Sequence, residues 1–286
     1  MRVVTVRRLL VAALVSGGLV APAVVHADTG YLTYSCDLPL PVGPTAFEVG
    51  AGTNAPSTVY LGTGYTPTLK TLAKIPKDLA KLAASSLDAE WVEGTIVSNL
   101  TVNGAPMSVS QKIVKRSMPA DPSGPVEVTA LAALPRLAPR AAGSTTYLPG
   151  DLEVTLKFTK ANGSSAGAFS NLDCHMPSNS KQVDKVAFAK SPSKVSPSVR
   201  YSKAKKKVTA GAKVSATSGL VPTGKVTAAL FKGTRKVRTV TATLAGGKAT
   251  AVFKKVKAKG GYKVVFAYAG SSTVNGSGAS RSFTVR

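Results

Sequence analysis

The sequence alternates apolar and polar residues with a period of two over most of its length. In the segment 152–159 the four even positions are apolar and the four odd positions are charged or carry a hydroxyl group. A second such segment, 92–102, ends at Asn103-Gly104, a dipeptide typical of two-residue hairpin turns. Because successive side chains of a strand point to opposite faces, this pattern predicts strands with one buried face. We therefore expect an all-β protein built from two β-sandwich domains.

One segment, 77–87, has helical rather than strand spacing. It begins after Pro76 and has Asp78 in its first turn, which is typical of a helix start. The residues expected on its buried face are Leu79, Leu82, Ala83 and Leu87. A helix of about three turns can lie on a membrane surface or cover one end of a sandwich, and we expect the second arrangement.

The charges of the chain are divided at Asp184. All 13 Asp and Glu residues lie at or before this position, whereas residues 185–286 hold 22 of the 37 Lys and Arg residues and no acid. Residues 28–184 are nearly neutral, with 12 basic and 13 acidic residues. A segment this cationic suggests an anionic partner, but high charge also serves to keep a domain soluble and monomeric. Both interpretations remain open from the sequence.

The N-terminal residues predict an export signal. Three arginines precede an apolar stretch at 9–25, and Val25-His26-Ala27 has small residues where a signal peptidase cleaves. The alternative, a membrane anchor, needs about 20 unbroken apolar residues, and this stretch is interrupted by glycines and a proline. We expect a signal peptide over 1–27 and a secreted protein that is extracellular or loosely associated with the cell envelope.

The chain has two cysteines, Cys36 and Cys174. An even cysteine count in an exported protein predicts a disulfide bond. The two positions are 138 residues apart, and closing a loop of that length stabilises the folded state by about 5 kcal/mol in the chain-entropy model. A metal site is the alternative, but His175 is the single histidine beyond the predicted cleavage site, so a Cys/His ligand set is lacking. We expect no metal and no cofactor.

Composition divides the exported chain into three parts. Residues 28–176 hold both cysteines and the helical segment, and we expect them to form one β-sandwich domain. Residues 177–194 are rich in proline, serine and lysine and predict a linker, although 186–189 has the pattern of a short edge strand. Residues 195–286 hold seven candidate strands, at 198–201, 208–217, 225–231, 237–244, 249–253, 262–268 and 280–285. Seven short strands with regular turn signals predict an immunoglobulin-like sandwich.

Three segments of this last part carry a family resemblance: 221–227 (VPTGKVT), 244–250 (LAGGKAT) and 261–270 (GYKVVFAYAG). In this order they resemble the bacterial Ig-like repeat of secreted and surface proteins, which has a PTG-V-T strand, a G-x-A-T strand and a Y-x-V-x-x-x-Y-x-G strand. The family often has an Asp after the last Gly, where this chain has Ser271. Lysine-rich, acid-poor repeats of this kind are similar to those of actinobacterial secreted proteins. The resemblance implies an Ig-like domain over 195–286.

The first part carries a more distant resemblance, in 34–40 (YSCDLPL), in the helical segment followed by a long strand, and in 148–151 (LPGD) leading to Cys174. These features are similar to an actinobacterial secreted domain of unknown function. The resemblance implies a disulfide-clasped β-sandwich and no chemistry.

Two patterns suggest chemistry, and their context argues against both. The segment 163–167 matches the G-x-S-x-G motif, in which Ser165 would be the nucleophile of an esterase, but that motif needs a strand-to-helix turn and here lies between two strands. Three acids between positions 88 and 93 flank Trp91, as in a carboxylate pair or a sugar platform, but surface acids beside a core Trp give the same pattern. We predict that the protein is not an enzyme and has no catalytic residue.

Eight lysines of the last part are concentrated in two runs. The first run is Lys203, Lys205, Lys206 and Lys207, and the second is Lys254, Lys255, Lys257 and Lys259. Like charges this close repel one another unless a polyanion neutralises them. The candidate partners are anionic wall polymers, anionic lipid and extracellular DNA, bound non-specifically.

From these observations we predict a secreted, non-enzymatic Ig-like protein with a structural or adhesive role. It would associate with anionic polymers of the cell envelope or matrix through the two lysine runs. The alternative is a carbohydrate-binding module of the extracellular space, formed by the first sandwich. No small-molecule substrate is predicted by either hypothesis.

Overall fold

The computed structural model of the protein describes residues 27–39, 42–178 and 181–286. The predicted signal peptide, 1–27, lies outside the described residues except for its last position. The first sandwich comprises β1 (Ala27–Asp28), β2 (Leu32–Asp37), β3 (Pro44–Thr53), β4 (Thr58–Tyr60), β5 (Thr68–Ile75), α1 (Lys77–Ser86), β6 (Trp91–Val102), β7 (Ala105–Ser117), β8 (Val126–Ala133), β9 (Gly143–Leu148), β10 (Leu152–Thr159), β11 (Ser165–His175) and β12 (Asp184–Ala189). The second sandwich comprises β13 (Ser193–Ser202), β14 (Lys207–Ala216), β15 (Lys225–Lys232), β16 (Arg235–Thr243), β17 (Lys248–Phe253), β18 (Gly260–Tyr268) and β19 (Ser277–Val285). The prediction of an all-β protein with one short helix is confirmed.

Eight strands of the first sandwich form a continuous antiparallel circuit. Their order is β10, β11, β2, β3, β5, β8, β7 and β6, and β6 pairs back to β10. Two joints are short, since β2 pairs with β11, and β7 with β8, through only two residue pairs each. The circuit therefore consists of two layers that are joined at both edges. Strands β9, β12 and β4 extend it beyond β6 and cover a second, smaller apolar cluster.

A disulfide bond closes one of the two short joints. Cys36 on β2 lies directly opposite Cys174 on β11, with their Cα atoms 3.9 Å apart, and both side chains are buried. The bond links positions separated by 138 residues. The predicted disulfide is therefore confirmed, and it stands at one of the two joints where the layers share only two residue pairs.

A buried polar network connects the same two layers in the core. The Oε1 atom of Gln111, on β7, accepts hydrogen bonds from the hydroxyl groups of Thr71 (2.9 Å) and Ser98 (2.8 Å). The Nε2 atom of Gln111 donates to the carbonyl groups of Leu69 (3.4 Å) and Ala130 (3.3 Å). These partners lie on β5, β6 and β8, so one side chain holds four strands through its amide. Because each polar atom has a partner, its burial is compensated.

The helix lies over the main core cluster, as predicted, but its buried face differs from the expected one. Leu79, Ala80 and Ala83 are buried, whereas Leu82 is 38% exposed. At about 100° per residue, Ala80 and Ala83 lie on one side of Leu79 and Leu82 lies on the other. The helix therefore packs through its small alanine side, and the prediction that Leu82 is buried is wrong.

The second sandwich has two antiparallel sheets, β13-β14-β17 and β16-β15-β18-β19. All seven strands overlap the candidate strands of the sequence. The inward positions of β14, β15 and β18 are apolar and buried, including Val208, Leu230 and Phe266. The fourth strand, β16, pairs with β15 instead of β17, which places it in the larger sheet, as in immunoglobulin domains whose fourth strand changes sheets.

The connection between the sandwiches is short and hydrogen-bonded. Residues 184–189, in the middle of the predicted linker 177–194, form β12 of the first sandwich, so only 190–192 join the two bodies. Ser191 is buried; its N–H donates to the carbonyl of Thr273 (2.9 Å), and its own carbonyl accepts from the N–H of Asn275 (2.9 Å). The strand predicted at 186–189 is thus confirmed, and β12 buries Val186 and also Asp184, whose carboxylate accepts a hydrogen bond from the hydroxyl of Thr53.

Candidate polyanion-binding surface

The fold brings the two lysine runs together. The turn 203–206 joins β13 to β14, and the loop 254–259 joins β17 to β18. The N–H of Val256, in the middle of the loop, donates to the carbonyl of Lys206 in the turn at 2.9 Å. The runs are about fifty residues apart in the sequence, yet their backbones are in direct contact.

Buried side chains fix the backbone of the loop and leave its lysines in solvent. Val256 is buried in the core, and its carbonyl accepts a hydrogen bond from the hydroxyl of Tyr201 (3.2 Å). The hydroxyl of Tyr262 donates to the carbonyl of Ala258 (2.9 Å). The predicted lysines that are exposed are Lys203, Lys205, Lys206, Lys254, Lys255, Lys257 and Lys259, and Lys207 is half-buried. The loop therefore presents its charges from a fixed backbone.

A third element at the same end adds cations that the sequence analysis did not single out. In the β15–β16 hairpin, Lys232 lies opposite Arg235, and Lys232 also lies opposite Tyr262 at the start of β18. The Nη1 atom of Arg238 donates to the carbonyl of Lys254 at 3.1 Å, which ties β16 to the loop 254–259. The two-residue turn between Lys232 and Arg235 is a hairpin signal that could have placed both residues at this end. We call this end, with the turns 203–206 and 233–234 and the loop 254–259, the cationic end.

A groove opens at the cationic end between β16 and the loop 254–259. Its volume is about 480 Å³. The basic residues that line it are Lys232, Arg235, Arg238, Lys254, Lys255 and Lys257. Buried apolar side chains, including Leu230 and Phe253, form its floor. The groove exists because β16 pairs with β15 and leaves β17 without a neighbour on this side.

The charged side chains of the cationic end all have the same sign. Residues 185–286 contain no Asp or Glu. All the close acid–base pairs found in the described residues lie in the first sandwich, for example Lys74 with Glu48 at 2.7 Å. Unpaired cations within a Debye length of about 8 Å repel one another and attract anions. The opposite end of this sandwich carries the connection 190–192 to the first sandwich.

The structure separates the residues of the esterase-like motif from the histidine they would need. Ser165 begins β11 after a hairpin turn from β10, and His175 ends the same strand. Ten residues of strand span about 30 Å, so these side chains do not meet. His175 lies instead near the carboxylates of Asp151 (3.6 Å) and Asp37 (3.8 Å). Among the described residues, no group of His, Cys, Asp and Glu has an arrangement that would hold a metal ion.

One of the acids beside Trp91 is already paired with a lysine. Asp88 pairs with Lys160 at 3.5 Å, and Trp91 is half-buried rather than part of the core. The Nζ atom of Lys115 lies 5.1 Å from the centre of the Trp91 ring and covers one face of it. This face of the ring is therefore engaged in a cation–π contact.

Two tyrosines of the first sandwich have raised pKa values. Burial, and second the charge of Asp151, raise the pKa of Tyr34 to about 12. Burial, and second the charge of Asp184, raise the pKa of Tyr147. The hydroxyl of Tyr34 donates to the carbonyl of Gly150 (3.3 Å), so its neutral form is part of the fold. These groups lie in the first sandwich and belong to its stability, not to the cationic end.

No helix in the described part of the chain has the length and apolar character needed to cross a membrane. No family model and no curated protein sequence matches the chain. Among solved structures, it is similar to the human OSCAR ligand-binding domain, with 13% identity and a TM-score of 0.23 over 82% of this chain and 96% of that one.

Two further solved structures are similar over most of this chain. Dimeric latent PorU from Porphyromonas gingivalis has 13% identity and a TM-score of 0.26, over 90% of this chain and 20% of that one. The glycoside hydrolase domain of Spr0440, Endo-D from Streptococcus pneumoniae R6, has 9% identity and a TM-score of 0.19, over 91% of this chain and 37% of that one. Similarities this low carry no argument about function.

Proposed function

We propose that this protein is a secreted, non-enzymatic adhesion protein that binds anionic polymers of the cell envelope or extracellular matrix through its cationic end. The observation that carries the proposal is the contact between the turn 203–206 and the loop 254–259, which joins two lysine runs on one surface. A solubility device needs no such concentration, because scattered charges keep a domain soluble equally well. The disulfide bond between Cys36 and Cys174 agrees with an oxidising, extracytoplasmic environment.

The physical basis of binding would be the release of counterions. A polyanion carries condensed cations, and each lysine or arginine that replaces one adds to the dependence of affinity on salt. The geometry also favours binding through charge over recognition of bases. Tyr262, whose hydroxyl group contacts the lysine loop, is buried and stacks on Phe283 with ring centres 5.5 Å apart. Three other rings at this end, those of Tyr201, Phe231 and Phe283, are half-buried, so no fully exposed ring among the described residues offers bases a stacking platform there.

The experiment compares two variants of the full-length protein that lose the same charge. The first, the turn variant, replaces Lys203, Lys205, Lys206 and Lys207 by Gln. The matched control replaces Lys194, Lys213, Lys225 and Lys248 by Gln. These residues are exposed and lie toward the junction end of the same sandwich, the end that carries the connection 190–192. Binding to long-chain polyphosphate and to double-stranded DNA is measured by fluorescence anisotropy over a range of salt concentrations.

We expect the turn variant to lower the slope of log affinity against log salt by about 3.6 on DNA, because it removes four lysines and each phosphate contact contributes about 0.9. The control variant should keep the parent slope. Equal effects of the two variants, or binding that does not depend on salt, would overturn the proposal. Binding to a neutral polysaccharide that is indifferent to salt and unchanged in the turn variant would favour the carbohydrate-binding alternative.

A further inference from the structure

The groove at the cationic end differs from the exposed lysines around it because cations line both of its walls. Lys232, Arg235 and Arg238 stand on the β15–β16 wall, and Lys254, Lys255 and Lys257 stand on the loop wall. An anion inside the groove is therefore approached from two sides, whereas an anion on the turn 203–206 is approached from one. The apolar floor lowers the local dielectric constant and strengthens each of these interactions.

Arg238 is the residue that gives the groove a defined geometry. Its Nη1 atom is fixed on the carbonyl of Lys254, and this is the single hydrogen bond of its guanidinium group among the described residues. A guanidinium group has five N–H donors in a planar fork, so four remain for a ligand. A fork held at one nitrogen is pre-organised for two parallel hydrogen bonds to phosphate oxygens, which a lysine cannot make.

We propose that this groove is a discrete binding site for a linear phosphate chain, occupied by a segment of a phosphodiester polymer that carries no aromatic bases. Three observations select this ligand class: the two cationic walls, the guanidinium fork of Arg238, and a floor whose aromatic rings, Phe253 and Tyr262, are buried. A chain of phosphates can pair with several of these six cations at once, whereas a single phosphate pairs with fewer. The inference rests on the proposed function and names the ligand of its strongest subsite.

The test titrates the full-length protein with sodium tripolyphosphate and, separately, with orthophosphate, by isothermal titration calorimetry at physiological ionic strength. We expect one saturable tripolyphosphate site per chain and weaker orthophosphate binding. Arg238→Gln should weaken tripolyphosphate binding at least about tenfold, as expected for hydrogen bonds to a charged group. Arg238→Lys should also weaken it, since this variant keeps the charge and loses the fork.

Two further variants keep the test decisive if the replacement of Arg238 disturbs the loop. Arg235→Gln removes a charge from the same wall without breaking the bond to Lys254, and it should weaken tripolyphosphate binding. Lys213→Gln removes the same charge from the junction end of the sandwich and should leave the affinity unchanged. Thermal unfolding of each variant shows whether the fold is retained.

The outcomes separate this inference from the proposed function. If polyphosphate and DNA bind with the expected salt dependence but tripolyphosphate shows no saturable site, the groove site is refuted and the proposed function stands. The same holds if Arg235→Gln behaves like Lys213→Gln, or Arg238→Lys like the parent protein. If no polyanion binds, both proposals fail.

Discussion

The two sandwiches of this protein are held together by different interactions. The first has a disulfide bond, a buried amide network around Gln111 and every acid–base pair found in the described residues. The second has no cysteine, Asp or Glu, since the last acid of the chain is Asp184, and its interior is apolar. Both sandwiches have an apolar core, but the first adds specific links between its layers, whereas the second relies on its apolar core alone.

This difference shows how a highly cationic domain keeps its fold. The lysines of the second sandwich stand mainly on turns and outward strand positions, while core positions such as Val264 and Phe266 stay apolar. Charge and core are thus set by different positions of the sequence. A change at the cationic end should therefore affect ligand binding with little effect on the core.

The largest difference should come from the disulfide bond. Replacing both Cys36 and Cys174 by Ala should destabilise the first sandwich by about 5 kcal/mol, because the unfolded chain regains the freedom of a very long loop. Trp91, the single tryptophan of the chain, reports this transition by fluorescence in urea. Hydrogen exchange of β15 and β18 should not change. Two reactive thiols in the unfolded, unreduced parent protein would contradict the prediction.

The next largest effect should come from the buried amide. Gln111→Ala leaves the hydroxyl groups of Thr71 and Ser98 buried without an acceptor, which should cost about 2 to 3 kcal/mol in unfolding free energy. A triple variant that combines Gln111→Leu with Thr71→Val and Ser98→Ala removes the polar groups together, and most of the stability should return. Urea unfolding followed by Trp91 measures both. A triple variant as unstable as Gln111→Ala would show that packing, not the network, sets the cost.

Alkaline pH should lower the stability of the first sandwich by a smaller amount. The pKa of Tyr34 is raised to about 12 in the folded state, so the unfolded state, with a pKa near 10, loses its proton first. Stability is therefore complete below pH 10 and falls as pH rises from 10 to 12, by an amount on the order of 2 kcal/mol. Trp91 fluorescence in urea across this range measures the loss. Tyr34→Phe should flatten the dependence, and an unchanged slope in that variant would exclude Tyr34 as its source.

The sequence predicts the strands of the second sandwich well because their signals are local. Alternation marks each strand, and glycine or proline marks each turn, so all seven candidate strands appear in the structure. The hairpin at Asn103-Gly104 follows from the same local chemistry, with positive φ angles of 51° and 84°. The cysteine count is enough to predict the disulfide bond, because only one pairing is available.

The features that the sequence does not reveal depend on contacts between distant segments. The contact of Val256 with Lys206, and that of Arg238 with Lys254, follow from which strands share a sheet, and alternation alone does not specify strand order. The strand predicted at 186–189 is present as part of β12, but its pairing with both β4 and β9, which makes it part of the first sandwich, was not visible from the sequence. The exposure of Leu82 reflects the rotation of the helix against its neighbours, which spacing along one helix does not determine.

Salt should produce the smallest and most selective difference between the sandwiches. The cations of the second sandwich have no acid nearby in the sequence, so raising NaCl from 0.15 M to 1 M, which shortens the Debye length from about 8 Å to about 3 Å, weakens their mutual repulsion. We expect this sandwich to gain about 0.5 to 1 kcal/mol of unfolding free energy, which is the usual size of effects between exposed charges. The acid–base pairs of the first sandwich are screened as well, so its unfolding free energy should rise less or fall slightly.

Urea is the suitable denaturant for this measurement because it carries no charge. Hydrogen exchange of β15 and β18 reports on the second sandwich, and Trp91 fluorescence reports on the first. The turn variant, with four lysines fewer at the cationic end, should show a smaller gain than the matched control, because repulsion falls with distance. Equal gains in the two sandwiches would mean that salt acts on apolar burial in general, and that the concentration of charge at the cationic end carries no measurable strain.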